Sequence, residues 1–212
     1  MSTTEDAPAA APAAAPAAGS GIADPAPLGL AGFALTTFLL SASNAGWMKA
    51  ATTAAFLGYA FAYGGLAQLL AGMWEFRNRN VFGATAFSTY GAFWIGLGLW
   101  VKWVAPTAKG LEGARDLGWI LLAFAIFNTY MLIISTQLNV AVFLVFLTLE
   151  LTEIFLFIGF FSTKTGSGGL ITFGGILGVI TALVAWYTSA AGVMNGHKGR
   201  VVLPVGGPLF DL

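Results

Sequence analysis

The chain has 212 residues, 58% of them hydrophobic and only 8% charged, and its nine Lys or Arg balance nine Asp or Glu for a formal net charge of zero. So few charges cannot cover a water-facing surface, and the apolar length is enough for several bilayer crossings, which places the chain among integral membrane proteins. The sequence has no cysteine, which excludes disulfides, thiolate metal sites and cysteine nucleophiles, and no basic run that could neutralise phosphates, which leaves nucleic-acid binding unsupported.

Residues 1–23 form an Ala/Pro-rich, low-complexity stretch without the basic start and continuous apolar core of a secretory signal, and are read as a disordered tail. A membrane span needs about 20 mostly apolar residues. Six stretches qualify, at 28–47, 52–74, 82–103, 117–137, 140–161 and 169–194. The expected architecture is an all-α membrane protein, a six-helix transmembrane domain over residues 24–200 followed by a short C-terminal tail at 201–212. Trp47, Trp74, Trp103 and Trp119 fall near span ends, where amphipathic rings favour the interface.

Six spans put both termini on one side of the membrane. Arg77, Arg79, Lys198 and Arg200 lie on that side, and Lys49, Lys102, Lys109, Arg115 and Lys164 on the other, so the charge rule alone does not orient the chain.

The first span is approached through Asp24, Pro25 and Pro27. The prolines fix two φ angles and remove two N–H donors, which predicts a helix start near Pro27 or Leu28 with its first amides unpaired. Such a start either is simply capped or holds an anionic substrate group in a protein-lined cavity. Farther along the same span, Phe33, Thr36, Thr37, Leu40 and Asn44 recur at helical spacing, which makes one face partly polar. That face either bonds neighbouring helices or lines a pore. Gln68 in the second span offers donors and an acceptor. The glycines of the second, third and sixth spans are read as sites of close helix packing.

In the fifth span, Glu150 and Glu153 have no basic residue within any span to pair with, and a charged carboxylate in hydrocarbon is expensive. Glu153 sits one turn from Leu149 and shares its direction, whereas Glu150 is turned about 100° away, so only Glu153 is a pore candidate and a possible proton-linked group.

The stretch Pro25 to Leu30 with Phe33, Thr36 and Thr37 resembles the signature Asn-Pro-Ala-Pro-Leu-Gly-Leu, followed by a Phe and a Thr pair, of the acetate uptake transporter family, the succinate-acetate permease type. The signature residues here are Asp24, Pro25, Pro27 and Gly29, with Asp24 replacing the Asn. GGLAQLLAGMWEFRNRN at 64–80 and FGATAFSTYGAFW at 82–94 resemble the family's second and third helices, and a weaker likeness runs to RVVLPVG at 200–206, leaving only the N-terminal tail outside it. The resemblance implies passage of acetate and small monocarboxylates, with succinate as a further candidate, through a pore in each protomer. It also implies a homohexamer in the plasma membrane with cytoplasmic termini. It assigns the narrowest point to Phe33, Tyr90 and Leu149, and it makes Gln68 a substrate contact beside the hydroxyls of Thr36 and Thr37 and Asn44.

No enzyme chemistry, cofactor or metal site is expected. The lone His197 follows the last span, the lysines lie at span ends or in loops, and phosphate loops and nucleophile-base pairs are not present. Two other readings compete: a channel for another small solute such as ammonium, and a non-transporting membrane assembly factor.

Overall fold

The structure, a computed structural model, describes residues 21–48 and 55–210. These form helices, with no strand among the described residues. α1 is Ala26–Asn44. α2 is Phe56–Arg77 and is wound as a π-helix over Ala62–Ala67. α3 is Val81–Leu99, extended by a π-turn at Trp100–Val104 and a 3-10 turn at Ala105–Thr107. α4 is Glu112–Ser135, α5 is Val140–Ser162 and α6 is Gly169–Lys198. Five of them, α1, α2, α4, α5 and α6, are long and apolar enough to cross a membrane. α3 is as long as α1 but falls short of that hydropathy, because Thr85, Ser88, Thr89, Tyr90 and four glycines dilute its apolar content. The expected start of the second span, residue 52, lies outside the described residues, as does all but the end of the predicted tail.

The distribution of polarity is that of a protein dissolved in lipid. The largest fully buried side chains are Gln68, Glu75, Asn128, Thr36, Thr181 and Ser135, whereas Leu66, Ile126, Ile133, Leu183 and Val193 are exposed. Trp47, Trp74, Trp103 and Trp119 are likewise exposed near helix ends, as interfacial anchors require.

α1 lies at the centre, packed along α6 and against the middle of α2; α6 continues to α5, α5 to α4, and α2 to α3. Lipid supplies no hydrophobic drive between helices, so backbones must approach closely or hydrogen-bond. A Cβ at Gly64 would collide with Thr36, and one at Gly178 would collide with Ser41, so α2 and α6 approach α1 through residues that only glycine fits. Thr152 and Thr181 bond α5 to α6 at 3.3 Å, and the Ser189 hydroxyl donates to the Pro27 carbonyl at 2.6 Å. The π segment of α2 surrounds the Gly64 approach, and the Thr36 hydroxyl donates to Gly32 O at 3.0 Å and reaches Tyr59 O at 3.4 Å where the winding changes.

The starts of α1, α3 and α5 gather at one end of the bundle with the ends of α2, α4 and α6. The segment after α6 folds back there. Asn195 holds Val202 N, Leu203 N and Leu203 O, Tyr187 donates to Pro204 O, and Ala141 N and Leu209 N tie the segment to the α4–α5 turn through Val205 O and Thr136 O.

Candidate functional site

The α1 start differs from the expectation. The helix begins at Ala26 with Pro25 as its N-cap, and the first amides are paired: Ala26 N–H donates to Asp24 Oδ1 at 2.9 Å, and Leu28 N and Gly29 N donate to Pro25 O at 3.1 and 3.2 Å. Pro25 and Pro27 have no amide hydrogen to offer, so no open anion-binding terminus remains and Asp24 acts as the cap. Other signature residues serve packing. Pro27 O accepts from Ser189, and a Cβ at Gly29 would lie 2.6 Å from the Phe87 ring, which fixes how closely α3 approaches α1.

At this end of the bundle a vestibule of about 320 Å³ opens. Asp24, Asn78, Asn80 and Asn139 stand around it, and Leu30, Phe82, Phe87, Val142 and Phe146 supply its apolar wall. Asn80 and Asn139 are the N-caps of α3 and α5, accepting from Gly83 N and Val142 N at 3.0 and 2.9 Å. The α2–α3 turn that sets Asn78 and Asn80 is a Schellman motif, with Asn80 N bonded to Glu75 O and Arg79 N to Phe76 O. Gln68 also lines the vestibule; it is 1% exposed and its Oε1 has no hydrogen-bond partner.

Phe33 of α1, Tyr90 of α3 and Leu149 of α5 converge in one buried cluster. All three line the vestibule, and all three also line a second pocket of about 40 Å³ on its far side. They therefore form the partition between the two. The Phe33 and Tyr90 rings meet edge to face at 5.7 Å, and Phe93, Phe124 and Phe127 back the Tyr90 ring at centroid distances of 6.3, 5.9 and 5.5 Å. Beyond the partition the far pocket contains Thr37, Leu40, Ser41, Asn44, Trp94 and Glu153. Thr37 Oγ1, Trp94 Nε1 and Glu153 Oε2 have no hydrogen-bond partner there.

The structure thus brings most of the sequence-selected residues to one path, in the order Asp24, Gln68, Phe33 with Tyr90 and Leu149, then Thr37, Glu153 and Asn44. Thr36 is not on it, since its hydroxyl is turned to α2. At 100° per residue Thr36 lies about 60° to one side of Phe33, whereas Thr37, Leu40 and Asn44 stay within about 40° of it, so the stripe is narrower than the spacing suggests. Glu153 shares the far pocket with Leu149, while Glu150 turns to α4, accepting from Asn128 Nδ2 and Thr129 Oγ1 at 2.7 and 2.8 Å.

Sequence reasoning left Asn128 and Trp94 unassigned. Asn128 is fully buried and takes the Tyr90 hydroxyl hydrogen at 2.9 Å. The only local signal for it was an amide within an apolar span.

A family model described as GPR1/FUN34/yaaH matches residues 7–207. The chain belongs to this family. The match begins inside the stretch that the motifs had left outside the resemblance. Among curated relatives, acetate permease A of Emericella nidulans is 39% identical over 86% of the chain and 65% of the relative. Ammonia transport outward protein 2 of Saccharomyces cerevisiae is 40% identical over 85% of the chain and 65% of the relative. The chain thus spans about two thirds, 65%, of the length of these two relatives. A solved structure, that of the bacterial acetate channel SatP, superposes with a TM-score of 0.79 at 34% identity, over 87% of this chain and 99% of that one.

Proposed function

We propose that this family member passes acetate and related small monocarboxylates across the membrane, through a path within each protomer that narrows at Phe33, Tyr90 and Leu149. The observation that carries the reading is that these three residues line both a vestibule of about 320 Å³ and the pocket of about 40 Å³ beyond it. Two rings and a branched apolar side chain make a dry constriction, which a small, weakly hydrated carboxylic acid crosses more easily than a hydrated ion. The unpartnered Gln68 Oε1 before it, and Thr37 Oγ1 and Trp94 Nε1 after it, are polar atoms that a carboxyl group can engage on either side. Succinate is a further candidate substrate.

In the same reading α3 is the sixth span, with the path lined from α1, α2, α3 and α5. Both termini face the cytoplasm, the protein sits in the plasma membrane, and protomers assemble as a hexamer, each with its own path. In this reading residues 24–200 carry transport, and the segment after residue 200 ties the α4–α5 turn to α6.

A second reading is ammonia passage, favoured by the name of the Saccharomyces relative and by the same dry constriction, which a small neutral molecule also crosses. Purified full-length protein in liposomes separates the two. Radiolabelled acetate uptake above that of protein-free vesicles, with no matching gain in ammonia flux, supports the carboxylate reading; ammonia flux without acetate uptake overturns it, and neither flux leaves only a non-transporting role.

A further inference from the structure

Tyr90 holds a single hydroxyl hydrogen and stands between two groups that can accept it. Its oxygen lies 2.9 Å from Asn128 Oδ1 on α4 and 3.4 Å from Glu153 Oε1 on α5. The orientation of the Asn128 amide is fixed independently, because its nitrogen donates to two acceptors, Phe146 O at 3.0 Å and Glu150 Oε2 at 2.7 Å. Oδ1 therefore faces Tyr90 as an acceptor only. An ionised Glu153 is likewise an acceptor only, so the hydroxyl cannot satisfy both. With Glu153 protonated there is no conflict: Tyr90 donates to Asn128 and accepts from the carboxyl hydrogen. With Glu153 ionised, the hydrogen must turn to the carboxylate, and Asn128 Oδ1, on a fully buried side chain, loses its partner.

We propose that Asn128 is a positioning residue for the constriction, which competes with Glu153 for the Tyr90 hydroxyl hydrogen and so ties the orientation of that hydroxyl to the protonation of Glu153. The groups around Glu153 leave the competition to these three. α3 presents Tyr90, α5 itself presents Glu150, and Tyr130 of α4 acts on Tyr90 at longer range. α1 contributes hydroxyls, Thr37 and Ser41, α6 meets α5 here through the Thr181 hydroxyl on Thr152, and no Lys, Arg or His lines the pocket. Glu150 is the outer end of the chain of bonds: half-buried between α4 and α5, it holds the Asn128 nitrogen and takes Thr129 Oγ1 as a second donor. The inference rests on the placement of Tyr90 in the pore, and its test uses no substrate, so it fails or stands apart from the transport assay.

The test is infrared difference spectroscopy of the full chain in liposomes, between acid and alkaline pH. In the wild type, loss of a buried carboxyl carbonyl band is accompanied by a change in a tyrosine C–O band. Glu153→Gln abolishes both. Tyr90→Phe removes the tyrosine change and moves the carboxyl midpoint about one unit to higher pH, because the ionised form loses its donor. Asn128→Leu moves it about one unit to lower pH, because the hydrogen is no longer contested; Asn128→Ala serves where leucine is not accommodated. In the Tyr90→Phe background the Asn128 substitution has no further effect, since Asn128 acts only through the hydroxyl. A tyrosine band that ignores the carboxyl step overturns the proposal. So do single variants that move the midpoint in the same direction, or an Asn128 effect that persists without the Tyr90 hydroxyl, which would then come through Glu150.

Discussion

The edge of one ring and the face of the other bring Phe33 and Tyr90 to 5.7 Å at an interplanar angle of 63°. A T-shaped pair of this kind is stabilised by the ring quadrupoles and holds both rings in place, so the partition they form with Leu149 is held by packing and not by loose side chains. Both rings are almost fully buried, at 5% and 4% exposure, although they border cavities on two sides.

Phe33→Ala removes half of that pair and widens the aperture. Uptake of a bulky monocarboxylate such as benzoate should rise relative to acetate. The substitution also destabilises, by about 3 kcal/mol, since a cavity already adjoins the site. The rates are therefore compared per folded protomer, with the folded fraction taken from size-exclusion in detergent. An unchanged ratio of benzoate to acetate uptake would remove Phe33 from the constriction.

Much of the bundle was legible before its geometry was known. Helix lengths and turns follow from the apolar runs, and the resemblance named Phe33, Tyr90 and Leu149, the three residues that line both pockets. What could not be read was lateral pairing. Nothing in the local pattern says that Thr36 faces the Gly64 approach of α2, or that Asn128 reaches Tyr90, thirty-eight positions earlier. Of the two readings of the α1 start, capping is the one found: the one amide left between Asp24 and Pro27 is taken by Asp24 itself, and the helix begins at Ala26, one residue before the expected start. α3 was read as a span from its apolar length over 82–103; Ser88, Thr89 and Tyr90 lower its hydropathy below that of the other five helices without shortening it.

Asp24 stands where the family signature has Asn. Its carboxylate accepts the Ala26 amide and lines the vestibule that an anionic substrate would enter. Asn accepts the same bond without the charge. Asp24→Asn should keep the fold and modestly raise acetate uptake at neutral pH. Asp24→Ala should cost about 1 kcal/mol of stability through the lost cap. A marked loss of uptake in Asp24→Asn, measured in liposomes at equal incorporation, would show that the charge assists transport.

Glu153 gives the pH test. A carboxylate in the far pocket repels a carboxylate substrate about 5 Å away by about 3 kcal/mol at an effective dielectric of 20. A protonated Glu153 carries no charge and exerts no such repulsion. Wild-type uptake should therefore fall as Glu153 ionises with rising pH, beyond the loss due to the shrinking fraction of neutral substrate. Glu153→Gln cannot ionise and should exceed the wild type at alkaline pH by up to about a hundredfold, the ratio that such a repulsion sets. Glu150→Gln leaves Glu153 able to ionise and should keep the alkaline fall in uptake. Superimposable pH profiles for wild type and Glu153→Gln would leave Glu153 as a packing residue.

Arg79 closes the α2–α3 turn with a φ of 59°, the one positive φ outside glycine among the described residues. The left-handed region is favourable for glycine at this place in a Schellman motif and costs about 1–2 kcal/mol for a residue with a Cβ. The strained residue stands between two asparagines that bond elsewhere: Asn80 caps α3, and Asn78 donates to Glu75 Oε2 at 3.2 Å, both at the mouth of the vestibule. Arg79 itself is exposed, so its side chain packs into nothing that the fold needs. Arg79→Gly should relieve the strain, offset in part by the greater freedom of glycine in the unfolded chain, for a net gain of roughly 0.5–1 kcal/mol. Thermal unfolding in detergent reads this as a raised midpoint. The acetate uptake of the variant in liposomes should equal that of the wild type, because Asn78 and Asn80 keep their bonds. A lowered midpoint would mean that the guanidinium stabilises the turn by more than the backbone strain costs, and reduced uptake with a raised midpoint would place the Arg79 charge among the groups that draw the anion to the vestibule.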